Sequence, residues 1–251
     1  MRALPPGNIL QNLYLKKRLK NYKDKRFLEV GSGNGLLSNV ILESGLKGIG
    51  CDLNSGACEN NKVLNANYIE NNSYQVLNQD FMNFDESKKF DIIVSAFVIE
   101  HLEDFELAPF IGKMKRLLSE NGKIILFVPS SMKYWGIEDV MAGHIKRYEF
   151  EDFNDFFELN NTHITGLTYP VSNILFSLSN FLVKKNESSK LDLSQKERTV
   201  YTGNRNVPFK TNFPAVFKLI LNEFVLYPFH LLQLIFGKNK NSMVIYCELT
   251  L

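Results

Sequence analysis

A turn built on three alternating glycines is the feature that most restricts the fold of this 251-residue chain. The turn follows an apolar strand, and together they read Phe27-Leu28-Glu29-Val30-Gly31-Ser32-Gly33-Asn34-Gly35. Glycine has no Cβ and accepts a positive φ, so a ligand can approach the main-chain N–H groups of such a loop. The next apolar strand ends at Asp52, whose carboxylate can accept both hydroxyl groups of a ribose. This pattern predicts a nucleotide-cofactor site at the ends of the two strands.

The spacing of the glycines separates two classes of nucleotide cofactor. A dinucleotide site has the pattern G-x-G-x-x-G, whereas here position 36 is Leu and the third glycine is Gly35. Glu29, just before the turn, also favours S-adenosylmethionine. These residues resemble the first motif of the class I S-adenosylmethionine-dependent methyltransferases, and the resemblance continues in order through segments 76–81, 90–95 and 117–126. It covers roughly residues 10 to 170.

Apolar and amphipathic segments alternate along most of the chain. Strands are predicted at 26–31, 47–52, 74–79, 91–96, 122–128, 163–169 and 243–249, and helices at 35–44, 55–71, 104–119 and 149–160. Because parallel strands need crossover connections, the alternation predicts an α/β fold with helices on both faces of a parallel sheet. The resemblance implies a Rossmann-like, doubly wound, seven-stranded, mostly parallel sheet. Its last strand is expected to be antiparallel and to lie between the fifth and the sixth.

Length and a hydrophobic content of 45% fit a single domain, residues 1–251, with a cap or insertion region and C-terminal helical elaboration at about 170–240. The polar segment 184–212 is expected to be a long loop or insertion. The apolar segment 213–236 is expected to form two helices separated at Pro228, either buried or lining a pocket. An interfacial helix lying on lipid is the alternative. A membrane span is disfavoured by the polar residues Lys218, Asn222, Glu223, His230 and Gln233.

Charge and cysteine usage restrict the partners and the compartment. A formal net charge of +2 predicts no nucleic-acid partner. The three cysteines have no metal or disulfide spacing, and the start of the chain shows no secretory signal or membrane anchor, so a cytoplasmic protein is expected. The basic stretch 16–26 is expected to be a solvated helix face. Peripheral contact with anionic lipid at the inner membrane face, or with an acidic substrate, stays open.

The resemblance implies a donor site for S-adenosyl-L-methionine. Glu29 would organise the methionine ammonium, Asp52 would bind the ribose, and Asp80 would accept a proton from the adenine amino group. Simpler roles stay open: an ion-pair carboxylate at Glu29, a structural turn at the glycines, a surface acid at Asp52 and a helix N-cap at Asp80. The full set of expected cofactor-binding residues is Glu29, Gly31, Ser32, Gly33, Gly35, Asp52, Leu53, Asp80, Phe81 and Ser95.

Two histidines are candidates for a general base. His144 follows Gly143, and this segment resembles one found at the acceptor pocket of ubiquinone-type and related small-molecule O-methyltransferases. His101 follows Glu100 in a segment that resembles the Glu-His-Leu of the superfamily, which is expected over the methionine end of the donor. A histidine titrates near neutrality and suits proton transfer. A purely structural role stays open for both.

Residues near His144 are candidates for binding the acceptor. Arg147 could bind a carboxylate or phosphate, while Tyr134, Trp135 and Tyr148 offer flat apolar surface to a ring or sugar face. The alternative is that these residues only pin and pack a loop. Together the motifs predict methyl transfer from S-adenosylmethionine to a small-molecule acceptor, at an oxygen of a glycan, a lipid-linked molecule or a metabolite.

The sequence leaves two other functions open. One is a non-catalytic S-adenosylmethionine-binding protein, and the other is an NAD-dependent oxidoreductase. A metal site is not expected, because no Asp, Glu, His or Cys residues follow a known ligand spacing along the chain.

Overall fold

The computed structural model describes residues 3–154, 161–187, 192–202 and 213–251. Within these ranges one sheet has the strand order β3-β2-β1-β4-β5-β7-β6. The pairs among β1 to β5 are parallel, whereas β7 is antiparallel to both β5 and β6. The strands are β1 (Arg26–Val30), β2 (Lys47–Asp52), β3 (Tyr74–Asn78), β4 (Phe90–Ala96), β5 (Leu118–Pro129), β6 (Thr162–Leu167) and β7 (Val244–Thr250).

Helices cover both faces of this sheet, and three further α-helices lie in the described part of the connection between β6 and β7. The helices are α1 (Pro6–Leu19), α2 (Leu36–Glu43), α3 (Ser55–Leu64), α4 (Ala66–Glu70), α5 (Asp104–Leu117), α6 (Ile137–Ala142), α7 (Ser172–Glu187), α8 (Gln195–Thr202) and α9 (Glu223–Ile235). Short 3₁₀ helices form at Phe81–Asn83, Ile99–His101, Met132–Tyr134, Phe150–Asn154 and Ala215–Leu219. The predicted fold class, including the antiparallel last strand and the C-terminal helices, is confirmed.

Alternation of side chains along the buried strands builds a separate core on each face. In β1, Phe27 joins a cluster with Ile41 of α2, while its neighbour Leu28 joins a cluster with Met114 of α5. Both faces of a doubly wound sheet are covered by helices, so its strands can be apolar on both sides. This explains the nearly continuous apolar runs in the sequence.

The strand order places one crevice at the carboxyl ends of the strands. Chain connections run in opposite directions from β1 and β4, and these two strands are neighbours. Ligands of open α/β sheets bind at such a switch point. The glycine turn follows β1 and the 3₁₀ helix Ile99–His101 follows β4, so both face the same crevice.

Two helix predictions and one loop prediction differ from the structure. The helix predicted at 55–71 is divided into α3 and α4 at Asn65, whose side-chain amide donates to the Gly35 carbonyl at 3.1 Å. Of the helix predicted at 149–160, residues 150–154 form a 3₁₀ helix and residues 155–160 lie outside the described residues. The loop predicted over 184–212 is wrong where α7 continues to Glu187 and where α8 forms. The remainder, 188–191 and 203–212, lies outside the described residues.

The start of α8 has a local cause that the sequence contains. Ser194 precedes the helix, and both its main-chain N–H and its hydroxyl donate to the Glu197 carboxylate, at 2.8 and 2.6 Å. A serine followed three residues later by glutamate is the capping box that satisfies free N–H groups at a helix start. This signal therefore outweighs the polar composition of the segment.

The apolar segment 213–236 also differs from its prediction. Its break lies before Asn222, which caps α9 by accepting the Val225 N–H at 3.0 Å, and α9 continues through Pro228. The helix buries Leu226, His230 and Gln233 and exposes most of its apolar residues, so the expected buried helix pair is not formed. None of the helices in the described ranges combines the length and the hydrophobicity that crossing a bilayer requires.

Candidate active site

The glycine turn has a backbone that only glycine adopts easily. Gly31, Gly33 and Gly35 have φ values of 77°, 48° and 79°. A Cβ on Gly31 would lie 2.3 Å from Val98 Cγ2, and one on Gly35 would lie 2.2 Å from Asn61 Oδ1. A Cβ on Gly33 would meet no atom within 4 Å in the described structure. Gly33 is thus the position at which a ligand can reach the main chain.

Asp52, at the end of β2, connects the glycine turn to the neighbouring strand. Its Oδ2 accepts the Gly33 N–H at 2.8 Å, and its Oδ1 accepts the Asn54 N–H at 2.8 Å. Each carboxylate oxygen has a second lone pair, which leaves acceptors for ribose hydroxyls. Leu53 is 66% exposed beside it and offers apolar surface at the same edge.

Glu29 lies below the turn, inside the protein. It is 1% exposed and accepts a hydrogen bond from the Ser38 hydroxyl of α2, which in turn accepts the Tyr74 hydroxyl at 2.8 Å. Burial raises the pKa of Glu29 to about 8, although the Ser38 hydrogen bond opposes this shift. Glu29 therefore belongs to a buried polar network under the turn, and its action on a ligand ammonium stays a prediction.

The remaining donor-site candidates lie at the ends of β3 and β4. Asp80 caps the 3₁₀ helix Phe81–Asn83 by accepting the Met82 N–H at 2.8 Å. Phe81 is buried with its ring edge-on to Phe110, the centroids 4.9 Å apart. Ser95 is buried, and among the described residues its hydroxyl has no hydrogen-bond partner. The N-cap role left open for Asp80 is observed, and the adenine contacts stay predictions.

On the other side of the crevice, His144 faces a buried carboxylate. Its Nδ1 lies 2.7 Å from Asp139 Oδ1 and donates to it, since a carboxylate only accepts. The other ring nitrogen, Nε2, lies 3.8 Å from Glu100 Oε1. Glu100 is 0% exposed, and burial raises its pKa to about 7. His144 is therefore held in one tautomer with its acceptor nitrogen toward Glu100.

His101 lies next to this pair. The centroids of the His101 and His144 rings are 4.9 Å apart, and His101 Nδ1 lies 3.2 Å from the Gly143 carbonyl oxygen. Burial lowers the pKa of His101 to about 4, so its imidazole is neutral at physiological pH. The Thr199 hydroxyl of α8 lies 3.3 Å from the same Nδ1. The helical region between β6 and β7 thus covers the histidines.

Asp139 of α6 organises this side of the site. It is fully buried and accepts hydrogen bonds from His144, from Arg147 Nε at 2.9 Å and from the Gly136 N–H at 2.8 Å. Burial alone would raise the pKa of Asp139, but the His144 hydrogen bond and the Arg147 charge hold it below its usual value. Asp139 therefore stays ionised and fixes two neighbouring side chains.

The four residues expected to bind the acceptor differ in exposure. Tyr134 is buried with its hydroxyl 2.8 Å from both Asn173 Oδ1 and the Asn241 carbonyl oxygen. Arg147 also donates to the Ser130 carbonyl at 3.0 Å, and the Tyr148 hydroxyl donates to the Ile99 carbonyl at 3.0 Å. Trp135 is half-buried. The polar groups of three of the four are thus engaged within the protein.

Comparison with known proteins agrees with the crevice geometry. A family described as a methyltransferase domain matches residues 8–165. The chain belongs to this methyltransferase family. The resemblance to class I S-adenosylmethionine-dependent methyltransferases is thereby confirmed.

Two curated relatives of this methyltransferase are ubiquinone biosynthesis O-methyltransferases. That of Pelagibacter ubique is 28% identical over 126 residues, 50% of each chain. That of Bartonella bacilliformis is 27% identical over 134 residues, 52% of each chain. This chain therefore spans about half the length of the curated relatives it matches.

Solved structures show the same fold at low sequence identity. The magnesium protoporphyrin IX methyltransferase of Synechocystis, with bound S-adenosylhomocysteine, has a TM-score of 0.52 at 16% identity, over 63% of this chain and 74% of that chain. A phosphoethanolamine N-methyltransferase of Haemonchus contortus, with bound S-adenosylmethionine, has a TM-score of 0.56 at 16% identity. It covers 96% of this chain and 52% of that chain.

The methyltransferase crevice brings together residues that the sequence names separately. The glycine turn, Asp52 and Leu53 meet at one end, and His101 and His144 meet at the other. Val98 connects the two ends, because its side chain packs on Gly31 only two residues before Glu100. The sequence reasoning missed Asp139 as the partner of His144, and it missed Thr199, which lies in the segment expected to be a loop. The only local signal for Asp139 is an acidic residue shortly before Gly143-His144.

Proposed function

We propose that this methyltransferase transfers the methyl group of S-adenosylmethionine to a hydroxyl oxygen of a small molecule. The observation that carries the proposal is the pair His144 and Asp139, which presents an oriented ring nitrogen in the crevice that contains the glycine turn. A hydroxyl is a poor nucleophile until its proton is removed, so it needs such a group. A neutral amine acceptor would not need one.

The donor side of the proposal rests on the backbone. The open face at Gly33 and the spare lone pairs of Asp52 suit the ribose and the amino-acid part of S-adenosylmethionine. The exposed Leu53 and the segment that begins at Asp80 suit the adenine. Most of the catalytic effect then comes from holding the donor methyl group and the acceptor oxygen in line.

The reaction balances without a redox step. The acceptor oxygen attacks the methyl carbon, the carbon–sulfur bond breaks, and its electron pair stays on sulfur, which gives S-adenosylhomocysteine. The hydroxyl loses its proton to Nε2 of His144, which is the group placed to accept it, and the proton then passes to solvent. Because Asp139 is anionic, it stabilises the positive imidazolium that forms.

The acceptor-site residues have two roles in this proposal. Trp135 is half-buried and is assigned to direct contact with the acceptor. Tyr134, Arg147 and Tyr148 are assigned to positioning the loop around His144, since their polar groups bond within the protein. The ubiquinone biosynthesis relatives support an oxygen acceptor by name, and the ring systems that this name implies suit an aromatic wall.

The test is production of S-adenosylhomocysteine on a panel of phenols, sugars and long-chain alcohols, beside matched amines. His144→Ala is expected to lower kcat by about 10²- to 10⁴-fold while the affinity for S-adenosylmethionine, measured by calorimetry, stays unchanged. His163→Ala is the control, because His163 bonds to Tyr14 on another part of the sheet. Turnover of amines alone, or of no acceptor at all, contradicts the proposal.

A second proposal concerns where the enzyme meets its acceptor. We propose that α9 lies on an anionic membrane surface and that the acceptor is amphiphilic. The observation that favours this is the orientation of α9, which buries the polar His230 and Gln233 but leaves the apolar Phe224 89% and Ile235 73% exposed. Gln233 is bonded inside through the Leu10 carbonyl and the Thr168 N–H, so this orientation of the helix is fixed.

Basic residues around α9 support anionic lipid as the partner. Lys17 lies close enough to His230 to lower its pKa, in addition to the larger effect of burial. Lys218 precedes α9 and Lys238 follows it, so basic side chains flank both ends of the face. Basic residues near an apolar helix face are typical of interfacial helices.

Flotation with vesicles that contain phosphatidylglycerol tests this second proposal. The wild-type chain should float at low salt and less at high salt, and Phe224→Glu with Ile235→Glu should abolish flotation. Phe105→Glu on α5 is the matched control, because Phe105 is also highly exposed but isolated from α9. A wild-type chain that stays at the bottom of the gradient at low salt overturns the proposal.

A further inference from the structure

Glu100 is a buried carboxylate that lacks a hydrogen-bonding counterpart in the part of the chain that is described. It is 0% exposed, and neither of its oxygens has a hydrogen-bond donor there. The His144 Nε2 atom, at 3.8 Å from Oε1, is too far for a hydrogen bond. Buried carboxylates in proteins are normally paired or bound to a metal. Glu100 therefore has, among the described residues, no hydrogen-bonded partner to balance a negative charge, which a bound cation would do.

Two imidazole rings are oriented around this carboxylate. The Nδ1–H of His144 donates to Asp139, and the Nδ1–H of His101 donates to the Gly143 carbonyl, so each ring keeps a lone pair on Nε2. Histidines that bind metals usually donate their other N–H to a carboxylate or a carbonyl in this way. Both histidines thus already have the outer partners of metal ligands.

We infer that Glu100, His101 and His144 bind one divalent transition-metal cation, with zinc the best match. One ligand atom from each of the three residues lies within 4.8 Å of the others. Two imidazoles and one carboxylate are a donor set of catalytic zinc sites, which keep a fourth position open. Magnesium and calcium fit less well, because they prefer oxygen ligands.

The geometry needs only a small adjustment to close on a cation. Ligand atoms of a tetrahedral zinc site lie about 3.4 Å apart, given metal–ligand distances of about 2.1 Å. The three side chains therefore have to move by on the order of 1 Å. The side chain of His144 is 10% exposed, so the fourth position can be reached from the crevice.

The role given to the cation rests on the proposed function, and it changes how the acceptor hydroxyl loses its proton. An acceptor hydroxyl bound at the fourth position has a lowered pKa and releases its proton to solvent. His144 then acts as a metal ligand and does not itself receive the proton, while the transfer of the methyl group is as described above. The sequence predicted no metal site because ligand spacing was compared only between residues close together in the chain. His144 lies 43 positions after His101, so the spacing could not indicate this cluster.

Cobalt(II) titration of the chelator-treated protein, with no donor or acceptor present, tests the site. Cobalt occupies zinc sites and absorbs visible light when bound, so binding is measured apart from activity. The wild-type chain should bind one Co²⁺, and Glu100→Gln and His144→Ala should each weaken the affinity by at least about tenfold. His163→Ala is the control and should bind Co²⁺ as the wild type does, since its ring lies on β6.

Folding of each variant is checked by its circular dichroism spectrum and its affinity for S-adenosylmethionine. Should Glu100→Gln fail to fold, Asp139→Asn replaces it, because loss of the carboxylate behind His144 should weaken Co²⁺ binding by about 10- to 100-fold. A wild-type chain that binds no Co²⁺, or that binds it no better than Glu100→Gln, overturns the inference and leaves His144 as the base. Co²⁺ binding with the expected variant profile, in a chain that methylates no hydroxyl, supports the site and overturns the proposed function.

Discussion

The two ends of the crevice are built in different ways. The end proposed to bind the donor is built from the main chain of the glycine turn 31–35 and the Asp52 carboxylate, which come from two consecutive strands. The acceptor end is made of side chains, in which Glu100, Asp139 and His144 come from separate elements and Thr199 from α8. A backbone site tolerates little change of conformation, whereas a side-chain site can be rebuilt by substitution. The donor end is therefore expected to change less than the acceptor end when the acceptor changes.

Arg147→Met is expected to have the largest effect on stability and would confirm that the acceptor end depends on buried charge. Removing the guanidinium leaves the Asp139 carboxylate buried without its arginine partner. Breaking one side of such a pair costs about 3–5 kcal/mol of the free energy of unfolding. Urea denaturation measures it, with Lys146→Met as control because Lys146 pairs with the exposed Asp104. A loss for Arg147→Met no greater than for the control contradicts this account.

Glu248→Gln is expected to affect neither end in particular, because Glu248 lies on β7, which β5 separates from the strands β1, β2 and β4 that carry the two ends. Arg18, at 2.8 Å, and Lys123 bond to this carboxylate, and together they outweigh burial and lower its pKa to about 2. Its stabilisation is present above the unfolded-state pKa near 4.5 and is lost as the pH falls toward about 2. The difference in unfolding free energy between wild type and variant should thus be on the order of 3 kcal/mol at pH 6 and vanish near pH 2.

Chemical denaturation across this pH range checks the Glu248 prediction. Glu43→Gln is the matched control, since Glu43 pairs with Lys16 on the surface and such pairs contribute about 1 kcal/mol or less. A difference between wild type and Glu248→Gln that stays constant from pH 6 to pH 2 would contradict the assigned pKa.

Asp52→Ala is expected to affect the donor end alone. Loss of a charged hydrogen-bond acceptor should cost about 1.5–3 kcal/mol of donor binding, or about ten- to 150-fold in Kd. Calorimetric titration with S-adenosylmethionine measures this, and Asp85→Ala, at an exposed position outside the helices and strands, is the control. An unchanged Kd would remove Asp52 from the donor site. A changed Co²⁺ affinity in the same variant would show that the two ends are not independent.

Gly33→Ala is expected to have the smallest effect on stability and sharpens the account of the donor end. A Cβ at Gly33 meets open space, so only the positive φ opposes it, at about 1–2 kcal/mol of unfolding free energy. Gly35→Ala should destabilise more, because its Cβ would overlap Asn61. If the donor contacts the main chain at Gly33, the loss of donor-binding free energy in Gly33→Ala should exceed the loss of unfolding free energy. Equal donor affinity in Gly33→Ala and wild type would contradict that placement.

The sequence predicted the local fold around the proposed donor end well because its determinants are local. A strand, a positive-φ turn and an acid at the end of the next strand are set within about 25 residues, and the observed strands follow the predicted ones closely. The acceptor end depends on contacts that no short segment contains, such as His144 with Glu100 and Asp139. For the same reason an exposed helix face at α9 was only the alternative to the expected buried pair, since the burial of Gln233 depends on Leu10 and Thr168.

Asp139 bonds to two side chains with different roles, and this limits which substitutions the site can accept. Its Oδ1 atom accepts hydrogen bonds from both His144 Nδ1, which fixes the tautomer of that ring, and Arg147 Nε. A substitution at Asp139 therefore alters the reactivity of the histidine and the integrity of the loop together, and neither can be adjusted alone through this position. Variation of the acceptor during evolution, or by engineering, is accordingly expected at positions other than Asp139, such as the half-buried Trp135.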